Sequence, residues 1–371
     1  MTRIGAGLAE HAAEAAARAA AALGENGADL AFVFLSGENA AAAEGALAAV
    51  HEELAPRHLV GCVSEGVVGG ETEVETGTAA AVWAASLPGA EVGSFHVATV
   101  QLAEGLAVVG FPQAASADLV ALIVDPYTFP ADAFLSGLNE EQPGVPLVGG
   151  IATGRRLLLG REVLSEGAVG AVVTGAAVRT LVSQGCAPIG RDAVITAAEG
   201  NLIHELAGER ALDRLRDDLT ALTERERTLA AGGLLVGLVV DENKPEYGRG
   251  DYLMRSLLGA DESSGAIAVG APVRVGQTVR FHVRDGETAD EDLRQTLAPL
   301  LGGHAAGALL FTCNGRGTNM FPAAGHDAGL VAEALGAPAL AGFFCGGEIG
   351  PVGSRAFLHG FTATIAVFLD E

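Results

Sequence analysis

Two segments of the sequence place a cysteine and a glutamate close together at the end of a short apolar run. Residues 339–350 carry Cys345 and Glu348 on either side of two glycines, and residues 59–66 carry Cys62 and Glu65 in a similar order. Apolar runs of this length are typical of buried strands, and glycines let the backbone turn sharply and approach a bound group closely. Because strands bring their carboxyl ends to one edge of a sheet, both segments predict a binding or catalytic site there.

Thiol chemistry is the first kind of chemistry that these segments suggest. Cys62, Cys313 and Cys345 each follow a predicted strand and precede a glycine-containing loop. At such a place a thiolate can be accessible and can be stabilised by backbone N–H groups, with His359 as the first candidate for a base. The opposite interpretation is open as well, because free cysteine is often a small buried hydrophobic residue and His359 lies within a strand-like pattern.

Carboxylate and guanidinium groups suggest a second kind of chemistry, the binding of a small polar ligand. Glu65 and Glu348 can accept hydrogen bonds from amines, amides or hydroxyls, with Ser64 beside Glu65. Arg316 can bind a carboxylate or phosphate through two parallel hydrogen bonds. The alternative is that Arg316 and Glu348 form a structural ion pair with each other.

Named catalytic signatures are absent from the sequence. Residues 185–190 have the glycine spacing of a phosphate-binding loop but lack its lysine, and no dinucleotide fingerprint, nucleophile elbow or His-Glu-x-x-His motif is present. The spacings of Cys313, His326, Cys345 and His359 match no structural zinc pattern. We therefore assign no catalytic residue and no metal site, and the sequence leaves the cofactor unknown.

The composition predicts an acidic cytoplasmic protein. The chain has 371 residues, a formal net charge of −24 and 49% apolar residues. Such a negative surface repels nucleic acid and anionic lipid, which argues against both as partners. The four cysteines form no Cys-x-x-Cys pair and fit reduced thiols. Residues 8–23 predict an amphipathic helix with Glu10, Glu14 and Arg18 rather than a signal peptide.

Four successive parts of the chain show a similar order of strand, helix, strand and further antiparallel strands. The third is the weakest, with a predicted helix over 251–258. The predicted strands lie at 31–36, 58–63, 77–87, 91–99, 118–124, 146–148, 161–165, 170–174, 179–184, 234–240, 266–269, 277–284, 308–312 and 338–344, with one or two closing strands over 355–369. The remaining predicted helices lie at 40–54, 130–138 and 327–335.

This order predicts a mixed α/β (α+β) fold of two related halves, each with repeated β-α-β and β-hairpin units in mixed sheets covered by helices. Such repetition indicates an internal duplication. Residues 201–231 place leucines on one helical stripe against Arg, Asp and Glu, and so predict a connecting amphipathic helix. We expect domains at 1–200 and 232–371, with the helix between them.

At these residues the sequence resembles the FIST family, a two-part sensory domain. The second half resembles its FIST C part in Thr312–Gly317, Gly342–Phe344, Gly347–Gly350, His359 and Thr362, and is similar to the earlier portion of that part in Asp251–Arg255 and Gly276–Phe281. The first half is similar to FIST N in Gly61–Gly66, Val148–Gly150, Gly185–Gly190 and Gly200–Leu206. The two expected domains are thus FIST N-like and FIST C-like.

The resemblance implies a module that senses a small molecule such as an amino acid or another small metabolite. The sequence leaves no residues for an output domain, so a signal would pass to a separate protein. An enzyme that uses the thiol of Cys313 or Cys345, and a scaffold that binds another protein, remain alternatives. The ligand-binding residues expected on this basis are Cys62, Ser64, Glu65, Gly149, Gly150, Cys313, Asn314, Arg316, Gly347, Glu348 and His359.

Overall fold

The structure is a computed structural model that describes residues 2–24, 27–103, 105–303 and 305–370. Its strands are β1 Arg3–Ala9, β2 Leu30–Ser36, β3 His58–Val63, β4 Val67–Gly69, β5 Thr72–Val74, β6 Ala79–Ser86, β7 Glu91–Leu102, β8 Gly105–Val109, β9 Leu119–Val124, β10 Leu147–Ile151, β11 Leu157–Leu159, β12 Glu162–Leu164, β13 Ala168–Thr174, β14 Val178–Gln184, β15 Cys186–Glu199, β16 Leu202–Leu206, β17 Glu209–Arg210, β18 Leu234–Val239, β19 Tyr252–Asp261, β20 Ala266–Val269, β21 Thr278–Arg284, β22 Ala305–Cys313, β23 Ala339–Cys345, β24 Glu348–Val352, β25 Arg355–His359 and β26 Thr362–Leu369. Its helices are α1 Ala12–Leu23, α2 Glu38–Ala41, α3 Ala43–Leu54, α4 Ala131–Glu141, α5 Ala211–Thr220, α6 Glu224–Ala231, α7 Gly286–Leu297 and α8 His326–Leu335, with 3-10 turns at Ala298–Leu300 and Gly317–Asn319.

The chain forms two compact units. The first consists of Met1–Ser183, Leu293–Leu358 and Thr362–Glu371, and the second of Gln184–Asp292 and His359–Phe361. Mixed sheets and helices confirm the predicted α/β class. The domain limits at 200 and 232 stay a prediction, as does the internal duplication.

Three sheets of the first unit each contain one parallel pair of strands. These pairs are β2 with β3, β9 with β10, and β22 with β23. In each case a helix lies between the two strands in sequence, namely α3, α4 and α8. Parallel neighbours need a long crossover connection, which a helix supplies. The β-α-β units expected in the first, second and fourth parts of the chain are therefore confirmed.

Strands from distant parts of the sequence share two of these sheets. The strand orders are β1-β6-β2-β3-β11-β12, β25-β24-β10-β9-β13-β7-β8 and β14-β26-β22-β23-β4-β5. Thus β4 pairs with β23, where Val68 lies opposite Gly342, and β24 pairs with β10, where Glu348 lies opposite Gly150. The first unit is therefore built jointly from early and late segments of the chain.

A cluster of aromatic rings fills the core of the first unit. Phe34 on β2 contacts Phe343 on β23 with ring centroids 5.2 Å apart, and Phe311 on β22 lies edge-on to both rings. These three side chains are fully buried. Aromatic pairs of this geometry contribute about 0.5–1.5 kcal/mol beyond the burial of their area. This packing holds β2 close to β22 and β23, which end at Cys313 and Cys345.

The second unit is a closed antiparallel barrel. Its strands follow the order β15-β21-β18-β19-β20-β16, and a further pairing of β15 with β16 closes the ring. Leu212 and Leu215 from α5 and Val236 and Phe281 from the barrel strands belong to one buried cluster. Both β15 and β19 pair with one neighbour along their first half and with the other neighbour along their second half, and this arrangement lets the ring close.

Two predictions of local structure differ from the structure. The helix predicted over 251–258 is wrong, because residues 252–258 lie in β19, where Tyr252 to Ser256 pair with β18. Residues 201–231, predicted as one connecting helix, contain β16, β17, α5 and α6. The leucine stripe is real, but it covers two short helices.

The N-terminal segment adds a strand that the sequence pattern did not reveal. β1 pairs along its whole length with β6, and the helix begins only at Ala12. Gly5 and Gly7 lie against α1, where a Cβ atom would come within 2.2 and 2.1 Å of helix carbonyl oxygens. Across the described part of the chain, no helix combines the length and the apolar character needed to span a bilayer.

Candidate functional site

The strand ends that carry the predicted residues converge in the first unit. Cys313 and Cys345 are register partners at the ends of the parallel strands β22 and β23. Directly beyond β22, the Asn314 N–H donates to the carbonyl oxygen of Cys345 at 2.9 Å. The loop after β3 reaches the same place, because the Ser64 hydroxyl donates to the carbonyl oxygen of Phe344 at 2.6 Å. We call this group of residues the strand-end cluster.

Thr153, just after β10, joins the loops of the cluster. Its hydroxyl lies 3.1 Å from the Ser64 hydroxyl and accepts a hydrogen bond from the Glu65 N–H at 2.9 Å. The Glu65 carboxylate is exposed and accepts from the Asn314 side-chain amide at 3.2 Å. The second polar atom of that amide, Asn314 Oδ1, is buried without a hydrogen-bond partner in the described structure.

Gly149 and Gly150 are required by close packing. A Cβ atom at Gly150 would lie 2.4 Å from Cys345 Sγ, and one at Gly149 would lie 1.8 Å from the carbonyl oxygen of Leu122. Gly149 also has a φ of 145°, which disfavours residues with a side chain. Their role in the structure is thus to let β10 approach its neighbours, and Gly347 supports the same approach by accepting the Ile151 N–H at 2.8 Å.

Glu348 is the buried acid of the cluster. Its side chain is fully buried, and Oε2 accepts from the N–H and the hydroxyl of Thr362 at 3.1 and 2.8 Å. Oε1 is buried without a well-formed hydrogen bond from the described residues. Burial raises the pKa of Glu348 to about 8, although hydrogen bonds from Thr362 and from the Cys313 thiol, and the Arg316 charge, act in the opposite direction. The carboxyl group is therefore mostly protonated at pH 7.

Arg316 forms a buried ion pair with Asp327, a residue that the sequence pattern did not single out. Arg316 Nε donates to Oδ2 at 2.6 Å and its second terminal nitrogen donates to Oδ1 at 2.7 Å. The exposed fractions of the two side chains are 0% and 1%. Burial opposes ionisation of Asp327, but the Arg316 charge and its hydrogen bonds, helped by His326 and Thr312, hold the pKa of Asp327 well below its usual range.

The ion pair changes the role that Arg316 can have. Its guanidinium lies 5.3 Å from the Phe321 ring centroid. The Asp327 carboxylate occupies the edge of the guanidinium formed by Nε and the second terminal nitrogen, so that edge cannot bind a free carboxylate or phosphate. Burial opposes the charged form of Arg316, but the Asp327 charge and its hydrogen bonds favour that form and raise the pKa of Arg316. Arg316 is thus placed to hold the loop after β22 and to supply positive potential near Glu348.

The three cysteines differ in their surroundings. Burial raises the pKa of the Cys62 and Cys345 thiols well above the ordinary value, and the neighbouring Glu348, Cys62 and Cys313 raise that of Cys345 further. The Gly315 N–H donates to Cys313 Sγ at 3.4 Å, and Cys313 is 8% exposed. A reactive thiolate needs a lowered pKa, and Cys62 and Cys345 show the opposite.

Two further glutamates hold the loop between β22 and α8, and sequence reasoning missed both. Glu75 accepts from the N–H and the hydroxyl of Thr318 at 2.9 and 2.7 Å. Glu73 Oε1 accepts from the Ala328 N–H at 2.9 Å, in the first turn of α8, while Oε2 is buried and unpartnered in the described structure. Burial, then the Asp327 charge, raise the pKa of Glu73 to about 7.

The structure brings most of the predicted residues into one place. The strand-end cluster contains Cys62, Ser64, Glu65, Gly149, Gly150, Cys313, Asn314, Arg316, Gly347 and Glu348, all in the first unit. The sequence suggested one set of ligand-binding residues in each half, whereas the structure places both sets in one cluster. His359 is buried at the end of β25 and is part of the second unit.

The chain thus combines mixed sheets in two compact units with a polar cluster at strand ends. Comparison with known proteins identifies the family: residues 29–209 match the FIST N domain and residues 211–351 match the FIST C domain. The chain belongs to the FIST family of sensory domains.

Relatives of similar length occur in mycobacteria. The uncharacterized protein Rv0628c of Mycobacterium tuberculosis (strain ATCC 25618 / H37Rv) is 44% identical over 369 residues, which cover 97% of this chain and 96% of the relative. The uncharacterized protein Mb0898c of Mycobacterium bovis is 43% identical over 370 residues, which cover 97% of this chain and 95% of the relative.

Proposed function

We propose that this FIST protein is a cytoplasmic sensor that binds an amino acid or another small polar metabolite at the strand-end cluster. The observation that carries the proposal is Oε1 of Glu348, a fully buried carboxyl oxygen for which the described residues supply no well-formed hydrogen bond. Buried polar groups in proteins are nearly always paired, and an unpaired one costs about 1–3 kcal/mol. A bound ligand that completes the hydrogen bonding of Glu348 would recover that cost.

The surrounding residues fit a polar ligand. Glu65, in the loop after β3, and Gly346, between β23 and β24, are exposed, and Asn314 Oδ1 offers a second unpaired acceptor. We assign Glu348, Glu65, Ser64 and Asn314 to the hydrogen bonds with the ligand, and Arg316 to the positive potential beside it. Cys62, Cys313, Cys345 and the glycines line the cluster.

The test is a thermal-shift screen of amino acids and small metabolites against the wild-type protein and Glu348→Gln. A ligand at about a hundred times its dissociation constant stabilises the wild type by about 2.7 kcal/mol. Glu348→Gln keeps the shape of the side chain and a carbonyl oxygen for Thr362, so it should fold but lose the shift.

The matched control for this screen is Glu162→Gln, an exposed glutamate on β12, which should keep the full shift. If Glu348→Gln keeps the shift of every stabilising ligand, the strand-end cluster is not the ligand site. Native mass spectrometry of freshly purified protein then identifies any co-purified ligand by its mass.

A thiol-dependent enzyme is the second candidate, and Cys313 is the residue that favours it. The backbone N–H of Gly315 points at its sulfur, as expected for a group that stabilises a thiolate. Alkylation of the native protein at pH 7, followed by mass-spectrometric mapping, tests this function. Labelling of Cys313 much faster than Cys62 and Cys345 supports it, and equally slow labelling of all three removes it.

A further inference from the structure

A cavity lies in the first unit, and none of its lining residues belongs to the strand-end cluster. It has a volume of about 430 Å³, with Leu106, Val108 and Phe111 on one side and Phe134, Leu138 and Glu141 of α4 on the other. We call it the α4 groove. Its volume falls within the range of about 300–1,000 Å³ that is typical of small-molecule sites.

The walls of the α4 groove are aromatic and aliphatic. Phe111 and Phe134 meet edge to face, with ring centroids 5.2 Å apart, and both rings are only partly buried. Leu106 is 62% exposed at this groove. These side chains offer apolar surface and ring edges against which a flat apolar ring can pack.

The charge of the α4 groove is negative. Glu141 is the one charged residue among the described lining residues, and it is the last residue of α4. The carboxyl end of a helix carries a partial negative charge, which adds to that of Glu141. The side chain of Gln142 is already used, because it accepts from the Ala114 N–H and donates to the carbonyl oxygen of Pro112.

We propose that the α4 groove binds a small aromatic amine, with its ring against Phe111 and Phe134 and its ammonium group beside Glu141. The apolar walls supply the affinity, and the negative end of the groove selects a cation over a neutral or anionic molecule of the same shape. This site is independent of the strand-end cluster and of the function proposed for it.

Gly137 provides a direct way to close the groove. It lines the cavity on α4, and a Cβ atom added there would meet no other atom within 4 Å. A side chain can therefore begin at this position without a clash, and a leucine places three more carbon atoms beyond the Cβ than an alanine does. Alanine adds only one methyl group, and either residue is more favourable than glycine inside a helix.

The experiment measures the binding of three probes by calorimetry and ligand-observed NMR: tryptamine, neutral 3-ethylindole and anionic indole-3-propionate. We expect tryptamine to bind about 2–5-fold more tightly than 3-ethylindole, the effect of one exposed ion pair, and indole-3-propionate to bind most weakly. Gly137→Leu should weaken tryptamine binding at least about tenfold by filling the space that the ring occupies. Gly137→Ala should retain it, and Glu141→Gln should remove the preference for tryptamine over 3-ethylindole.

The proposal is overturned if tryptamine does not bind at millimolar concentration, if Gly137→Leu binds it as tightly as Gly137→Ala, or if indole-3-propionate binds best. Circular dichroism and the melting temperature establish that each variant is folded. Should Gly137→Leu not fold, the order of the three probes on the wild-type protein and on Glu141→Gln decides the question.

Discussion

Gly150 on β10 and Glu348 on β24 are register partners in an antiparallel pair, although they come from the FIST N and FIST C parts of the sequence. Through this pairing the glycine-rich strand of the first part lies against Cys345 and beside Glu348. A single sheet thus joins residues of both parts at the strand-end cluster.

Replacing Gly150 by alanine should destabilise the protein. The new Cβ atom would lie 2.4 Å from Cys345 Sγ, and relief requires movement of a buried side chain or of β10. Overpacking of this kind costs about 1–3 kcal/mol, which urea denaturation measures. Gly45→Ala is the control, because a Cβ atom at Gly45 in α3 meets nothing within 4 Å and should be neutral or stabilising. Equal stability of the two variants would show that β10 does not pack against Cys345 as described.

Breaking the Arg316–Asp327 pair should cost much more than breaking a surface pair. Arg316→Met leaves the Asp327 carboxylate buried and without its counter-charge, and such changes cost about 3–5 kcal/mol. The double variant Arg316→Met with Asp327→Leu should be more stable than Arg316→Met, since no charge is left unpaired. The control is Arg18→Met, whose pair with Glu14 is more than half exposed and should matter little. Additive losses in the double variant would contradict this account.

The stability of the first unit should fall as the pH rises from about 6.5 to 8.5. The pKa values of Glu348 and Glu73 are raised to about 8 and about 7, from 4.5 for an unperturbed glutamate. Between 4.5 and these values the folded state binds more protons than the unfolded state, so raising the pH favours unfolding. Each such proton contributes a slope of at most about 1.4 kcal/mol per pH unit.

Two other ionisable groups, His282 and Asp327, change the stability of the protein mainly below pH 6.5. His282 in the second unit is buried, which lowers its pKa to about 4. The unfolded state therefore binds more protons at this residue between about pH 4 and 6.5, so stability rises with pH over that range and no longer changes above it. The pKa of Asp327 is lowered in the folded state, so this group stabilises the folded protein at every pH above the usual pKa of an aspartate. That contribution is lost only in acid. Urea denaturation of the wild type, Glu348→Gln and Glu73→Gln at pH 6.5 and 8.5 tests the assignment. Each variant should show a smaller loss than the wild type, and an unchanged loss in both would refute it.

Thr318→Val should weaken the link between Glu75 and the loop after β22. The substitution removes the hydroxyl that donates to Oε2 at 2.7 Å but keeps the backbone N–H that donates to Oε1. Loss of one hydrogen bond to a charged group costs about 1.5–3 kcal/mol when the group is buried, and less at this exposed position. Hydrogen exchange of the loop should increase, whereas Thr228→Val on α6 should leave the loop unaffected.

The local pattern of the sequence was sufficient to predict much of the first unit. Apolar runs, helix-forming segments and glycine-rich turns predicted three β-α-β units and the strand ends at which Cys62, Cys313 and Cys345 lie. These features depend on residues close together in the chain, where periodicity and turn chemistry act. The prediction was wrong at β19, because Tyr252, Leu253 and Met254 are consecutive apolar residues without the alternation that distinguishes a half-buried strand from a helix.

The composition of the site was decided by long-range pairing. No local signal shows that β4 pairs with β23 or β24 with β10, so the sequence suggested one set of ligand-binding residues in each half where the structure forms one cluster. The partner of Arg316 also required the fold, since α8 has to present Asp327 to the loop after β22. The amino-acid sequence specifies which side chains can bind a polar ligand, but burial and strand pairing determine their protonation and their neighbours. Both properties arise only when distant segments pack together.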